Sequence, residues 1–64
     1  MNYVDIVEAV TAKKKVHWSN ASYWIVRDDN GDLFISYLNQ NYVGFNYQLF
    51  HENYDPKDFY LSPF

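Results

Sequence analysis

No cysteine occurs in this chain, so neither a disulfide nor a zinc–thiolate site can help to hold it together. Histidine is also scarce. His17 and His51 lie far apart, have no helical i, i+4 partner, and read as satisfied or solvent-facing side chains rather than metal ligands. Positive charge is in short supply too: five Lys and Arg against eight Asp and Glu leave a net charge of -3. Duplex nucleic acid is bound largely by basic side chains displacing counterions from many phosphates, so it is an unsuitable partner. The opposite idea, an acidic mimic of DNA, gains nothing from an ordinary number of carboxylates. No apolar run approaches the roughly 20 residues of a membrane span. The N-terminal stretch MNYVDIVEAV carries an acidic residue where a secretory leader would be basic, and a cytosolic protein is expected. On that ground Asn20-Ala21-Ser22 is expected to be a tight turn rather than a glycosylation acceptor.

Catalytic signatures are missing as well. The chain has no Ser/His/acid spacing, no Cys nucleophile, no HExxH and no glycine-rich phosphate loop, and it is read as a non-enzyme. Asp28, Asp29 and Asp32 flank a turn, Asp55 and Asp58 belong to another (DPKD), and solvated turn residues account for all five. No cofactor is implied.

What is present in quantity is aromatic surface, 22% of 64 residues. A domain near 60 residues buries only about 60% of the surface of its unfolded chain, while each ring offers roughly 150–250 Å². One domain spanning residues 1–64 therefore has little interior in which to hide so many rings, and self-association is expected to cover some of them.

Local patterns give an order of elements. Asn2 to about Lys13 reads as a helix with Asn2 as N-cap and Asp5 in the first turn. Tyr3, Ile6, Val7 and Val10 form one stripe, though the valines keep a strand as the alternative. Lys13, Lys14 and Lys15 suit the negative end of that helix, ahead of a phosphate-binding role. Lys15–Ser19 reads as a strand. The runs YWIVRDD and DLFISYL are joined by Asn30-Gly31, a strong hairpin signal. Taking Asn30 and Gly31 as a two-residue loop pairs Asp29 with Asp32, Val26 with Ile35 and Trp24 with Tyr37. One face then carries Trp24, Val26, Leu33, Ile35 and Tyr37, and the other Tyr23, Ile25, Arg27, Phe34, Ser36 and Leu38. Both faces are mostly apolar, and one short helix can cover only one of them. After a turn at Asn39-Gln40-Asn41, a strand over Asn41–Tyr47 follows, in which Gly44 suggests a bulge or a close backbone approach. LFHENYDPK reads as a loop and DFYLSPF as a final extended piece. Val43, Phe45 and Phe50 are assigned to the core. The expected fold class is α+β: one N-terminal helix packed on a small, bent antiparallel sheet of four to five strands.

The order KKKVHWSN, YWIVRDDNGDLFI, NQNYVGF, DPKDFYL resembles small accessory proteins of tailed bacteriophages. In that family a helix precedes a V-x-W-x-N strand, a D-x-x-G hairpin, an N-x-x-x-G strand and a late P-x-D-F-Y element. The resemblance covers nearly the whole chain. It implies a product acting in the host bacterial cytoplasm, on host defence or takeover, and it transfers no functional residue.

For a ligand, the residue types point to a nucleotide. Base stacking is worth about 1–3 kcal/mol per base, and side-chain amides read base edges while Arg and Lys meet phosphates. Trp18, Trp24, Tyr37, Tyr42 and Tyr47 are candidate plates; Asn39, Asn41, Gln40 and Asn46 candidate amides; Lys15 and Arg27 candidate cations. A small cyclic or linear nucleotide needs few counter-charges, so the acidic balance is no obstacle, and a homodimer would double the cations at a shared pocket. The leading expectation is a counter-defence protein that sequesters such a signal. An inhibitor that binds a host protein directly is the alternative, since Tyr and Trp also populate interface hot spots. Single-stranded nucleic acid binding comes third. Against all three stands the plain possibility that the rings are core and the amides are turns.

Overall fold

The computed structural model describes residues 1–63. Helix α1 (Tyr3–Thr11) is followed by strands β1 (Val16–Trp18), β2 (Asn20–Arg27), β3 (Leu33–Tyr37) and β4 (Asn41–Phe45). Then come helix α2 (Tyr47–Asn53), a 3-10 turn (Pro56–Asp58) and strand β5 (Phe59–Leu61). The five strands form one antiparallel sheet in the order β4-β3-β2-β1-β5. The fold is α+β, as the sequence patterns predict, with a second helix that they do not. No helix among the described residues is long and apolar enough to cross a membrane.

Helix α1 begins where expected: the Asn2 side chain accepts a hydrogen bond from the Asp5 amide at 2.8 Å. Its stripe turns Ile6 and Ala9 into the core, with Tyr3, Val7 and Val10 packed against it. Lys13, at φ 64, ends the helix in a left-handed turn.

The β2–β3 hairpin forms at the expected place in a different register. Its loop holds three residues, Asp29-Asn30-Gly31. The Asp28 amide donates to the Asp32 carbonyl, the Gly31 amide donates to the Asp28 carbonyl, and Gly31 takes φ 88. This is a type I turn closed by a glycine in the left-handed region. The Asp28 carboxylate selects it by accepting from the amides of Asn30 (3.0 Å) and Asp32 (2.9 Å). The pairs are therefore Tyr23↔Tyr37, Trp24↔Ser36, Ile25↔Ile35, Val26↔Phe34 and Arg27↔Leu33. A shift of one residue exchanges face partners. Tyr23, Ile25 and Arg27 share the inner face with Leu33, Ile35 and Tyr37, while Trp24 and Val26 share the outer face with Phe34 and Ser36. The expected grouping of Trp24 and Val26 with Leu33, Ile35 and Tyr37 is thus corrected.

Three further expectations change. Asn20–Ser22 is the start of β2 rather than a tight turn. The reversal sits at Ser19, φ 67, and the Asn20 side chain makes only a local contact, its Oδ1 accepting from the Ser22 amide at 2.9 Å. The pairing with β1 slips between His17↔Trp24 and Trp18↔Asn20, which leaves Ala21–Tyr23 bulged out. Residues after Phe45 are helical: Asn46 caps α2 by accepting from the Leu49 amide at 2.9 Å, so β4 stops short of Tyr47 and the expected loop is largely a helix. Gly44 is neither bulged nor closely approached. It pairs regularly with Phe34, and a Cβ placed there meets nothing within 4 Å.

Phe45, on edge strand β4, and Phe59, on edge strand β5, bring their rings to 5.5 Å from each other, so the sheet curls around its own core. Phe50 of α2 plugs that curl at 5.9 Å from Phe45 and 5.5 Å from Phe59. The core comprises Ile6, Ala9, Val16, Ile25, Leu33, Ile35, Phe45, Phe50 and Phe59. Phe45 and Phe50 are placed as predicted. Val43 is not in the core: it lies at the free edge, 57% exposed.

Candidate functional site

The strand alternation that builds the core leaves the opposite face of the sheet without a helix. His17, Trp24, Val26, Phe34, Ser36, Tyr42, Gly44 and Tyr60 stand there by register. His17 is buried, and its Nδ1 donates to the Tyr23 carbonyl at 2.9 Å, since a carbonyl can only accept. Tyr60 packs on that imidazole at 5.2 Å. Lys15 reaches over the Trp24 ring, its Nζ 4.3 Å from the centroid, a cation–π contact that keeps the ammonium at the rim of this face.

The nine residues singled out from the sequence separate into distinct places. Lys15 and Arg27 line a cleft of about 570 Å³ between the C-terminal end of α1 and the β2–β3 hairpin. Lys13 and Lys14 join them there, so four of the chain's five basic residues meet in one place. Asp28 and Asp29 also line the cleft, leaving a formal surplus of two positive charges (four minus two). Among the described residues no Lys or Arg nitrogen lies within 4.0 Å of a carboxylate oxygen, so none of these cations is held in a direct ion pair. Trp24, under Lys15, is the one predicted plate next to this cleft.

Trp18, Tyr37 and Asn41 line a second cleft of about 450 Å³ at the opposite, open end of the curled sheet, with Tyr23, Ile35, Val43 and Tyr54. Its wall is a set of edge-on rings: Trp18 meets Tyr23 at 4.9 Å and Tyr54 at 5.5 Å, and Tyr23 meets Tyr37 at 4.8 Å. The Trp18 Nε1 is buried here without a hydrogen-bond acceptor. No Lys or Arg lines this cleft.

Asn39 and Tyr42 form a third group at the β3–β4 turn, along a shallow trough on the outer face with Val26 and Phe34, and Arg27 and Asp28, which also line the basic cleft, border this trough as well. The Tyr42 hydroxyl donates to the Asn39 carbonyl and to its Oδ1, each at 3.2 Å, so the Asn39 amide oxygen is already engaged. The turn has Leu38 and Asn39 at φ 49 and 60, with the Gln40 amide donating to the Tyr37 carbonyl. Tyr47 belongs to none of these groups. It opens α2, 62% exposed, with its ring 5.6 Å from Tyr3 and 4.3 Å from His51. The Asn46 Oδ1 is likewise engaged, by its cap on α2.

The single aromatic and amide pocket expected from residue types is therefore not assembled within one chain. Cations gather at one end of the sheet, and most plates and amides gather at the other or on the outer face. Lys13 and Lys14 are the residues the sequence reading discounted. Their run beside a helix end satisfies the helix dipole whether or not a ligand is present, and only the hairpin's approach from β2 turns it into a cleft. No family model matches the chain, and no curated protein or solved structure is similar to it.

Proposed function

We propose that this chain is a non-catalytic binding protein whose ligand is a small phosphorylated molecule, in the first instance a nucleotide, seated in the basic cleft. The observation that supports this is the gathering of Lys13, Lys14, Lys15 and Arg27 in one concavity of a protein whose net charge is negative. A negatively charged molecule holds its cations together only at a cost in repulsion, and a multiply charged anion offsets that cost. Lys15, which lines the cleft, also lies over the Trp24 ring on the outer face, and a base that displaces its ammonium can stack on that ring. The resemblance to phage accessory proteins gives the context: sequestration of a signalling nucleotide inside a bacterial host.

The test is native mass spectrometry with a panel of linear and cyclic nucleotides, on the wild type and two charge variants. Lys14→Glu with Lys15→Glu inverts the cleft at exposed positions. Lys57→Glu changes charge outside it. The expected result is a wild-type adduct that the cleft variant weakens at least about tenfold, a difference of about 1.4 kcal/mol. Lys57→Glu should bind normally. No adduct across the panel, or equal loss in both variants, overturns the reading.

A second reading, inhibition of a host protein by direct contact, is favoured by the helix-free outer face. Trp24, Val26 and Phe34 stand together there, half-buried, with the Lys15 ammonium over the Trp24 ring. Capture of a single host protein that Trp24→Ser abolishes and Lys14→Glu spares would favour this reading over the first.

A further inference from the structure

The two edges of the sheet are unlike. β5 is three residues long, preceded by Pro56, Lys57 and Asp58 and followed by Pro63. Short length, charge and proline are the devices that keep an edge from pairing with another strand. β4 has none of them. It runs five regularly paired residues, Asn41-Tyr42-Val43-Gly44-Phe45, without a bulge or a proline. No Asp, Glu, Lys or Arg occurs anywhere from Leu33 to Phe50. Among the described residues no strand lies beside its outer backbone groups, and Tyr42 and Val43 are exposed on opposite faces, 53% and 57%.

We propose that two copies of this chain join along β4, antiparallel about a two-fold axis at Val43, to make one continuous ten-stranded sheet. The sequence of the edge chooses a second copy as occupant because it complements itself. An antiparallel pair keeps inner face with inner face only when the paired residue numbers add to an even total. The total that pairs all five residues places Val43 on the partner's Val43, Asn41 on the partner's Phe45, and Tyr42 on the partner's Gly44. That last pairing fills a vacancy. Space above Gly44 on the outer face is open, with nothing within 4 Å of where its Cβ would be. Tyr42 supplies an exposed ring on the same face, two positions away. An aromatic ring laid over a cross-strand glycine covers backbone that the glycine leaves bare. Slipping the pairing by two residues in either direction sets Tyr42 against Tyr42 or Gly44 against Gly44 and loses this contact. The pairing makes no use of the basic cleft, so it stands or falls apart from the ligand reading.

Five paired residues make a small interface, so association should depend on concentration across the micromolar to millimolar range. Sedimentation velocity over that range, with circular dichroism to verify the fold, tests it. The wild type should move from monomer to dimer as concentration rises. Val43→Glu places two carboxylates against each other on the axis and should remain monomeric. Val43→Lys should do the same alone, and an equimolar mixture of the two should dimerise again. Gly44→Val, whose Cβ has nothing within 4 Å on the rest of its own chain, should keep the monomer fold and lose the dimer. A wild type that stays monomeric throughout, or a dimer that both Val43→Glu and Gly44→Val leave intact, overturns the proposal.

Discussion

At the scale of single residues, the informative positions are those where the surroundings contradict the side chain. Ser36 is fully buried, yet its hydroxyl has no hydrogen-bond partner. It lies on the outer face, flanked in register by Trp24 on β2 and Tyr42 on β4. A buried hydroxyl left unsatisfied costs about 1–3 kcal/mol, whereas removing the oxygen opens only a small void. Ser36→Ala is therefore expected to be neutral or to stabilise by up to about 1 kcal/mol, which in a domain of this size raises Tm by about 4–8 °C. Urea and thermal unfolding read this directly, and a loss of more than about 1 kcal/mol would mean that the hydroxyl is bonded in solution. Nothing in the sequence singles out Ser36. Alternation places it on a face, but its burial comes from neighbours on two other strands, and those depend on a register that the sequence reading set one residue out. Asn46 shows the same limit. Its amide has the chemistry of a base-reading group, and only the backbone around it reveals that the oxygen belongs to Leu49.

At the scale of elements, the legible parts of the fold are those with a strong local cause. Helix α1 has its cap and stripe within a few turns of chain, and the β2–β3 hairpin has its glycine. The turn length was not legible, because Asn-Gly suits a two-residue loop as well as the observed one. The choice was made by Asp28, whose carboxylate holds two amides of the longer loop. Helix α2 was hidden for a different reason. Its seven residues are rich in aromatic and amide side chains of modest helix propensity, and it continues directly from a strand. Packing of Phe50 and the Asn46 cap decide its conformation. Asn46→Ala should accordingly cost about 1 kcal/mol, while Asn46→Asp, an equally good cap near the positive end of the helix, should cost less than half of that. Chemical denaturation followed at the helical band compares the two. Equal losses would show that the helix is held by packing alone.

At the scale of the whole molecule, charge and aromatic surface are sorted to different places. Residue types predict which groups exist, but not that the cations Lys13, Lys14, Lys15 and Arg27 face one cleft while Trp18, Tyr37 and Asn41 face another. That separation follows from the curl of the sheet, which depends on long-range contacts between its two edges. Phe50 is the centre of that curl. It is 1% exposed and its ring meets Tyr3 of α1, Phe45 of β4 and Phe59 of β5. A chain of 64 residues has a total stability of roughly 3–10 kcal/mol at the usual 0.05–0.15 kcal/mol per residue. Phe→Ala in a core costs about 3–5 kcal/mol. Phe50→Ala is therefore expected to consume most of the stability, with loss of near-ultraviolet dichroism at 25 °C or a fall in Tm of more than about 10 °C. Val43 has the same apolar character in the sequence and stands in a strand, yet it is exposed at the free edge. Val43→Ala should leave the unfolding transition of the monomer within about 0.5 kcal/mol of the wild type. If the two substitutions destabilise the monomer equally, the core does not close at Phe50 and the sheet does not curl in solution. A large cost at Phe50 and none at Val43 would place the centre of the fold where the inward rings of the two edge strands meet, with the backbone edge of β4 at Val43 left open.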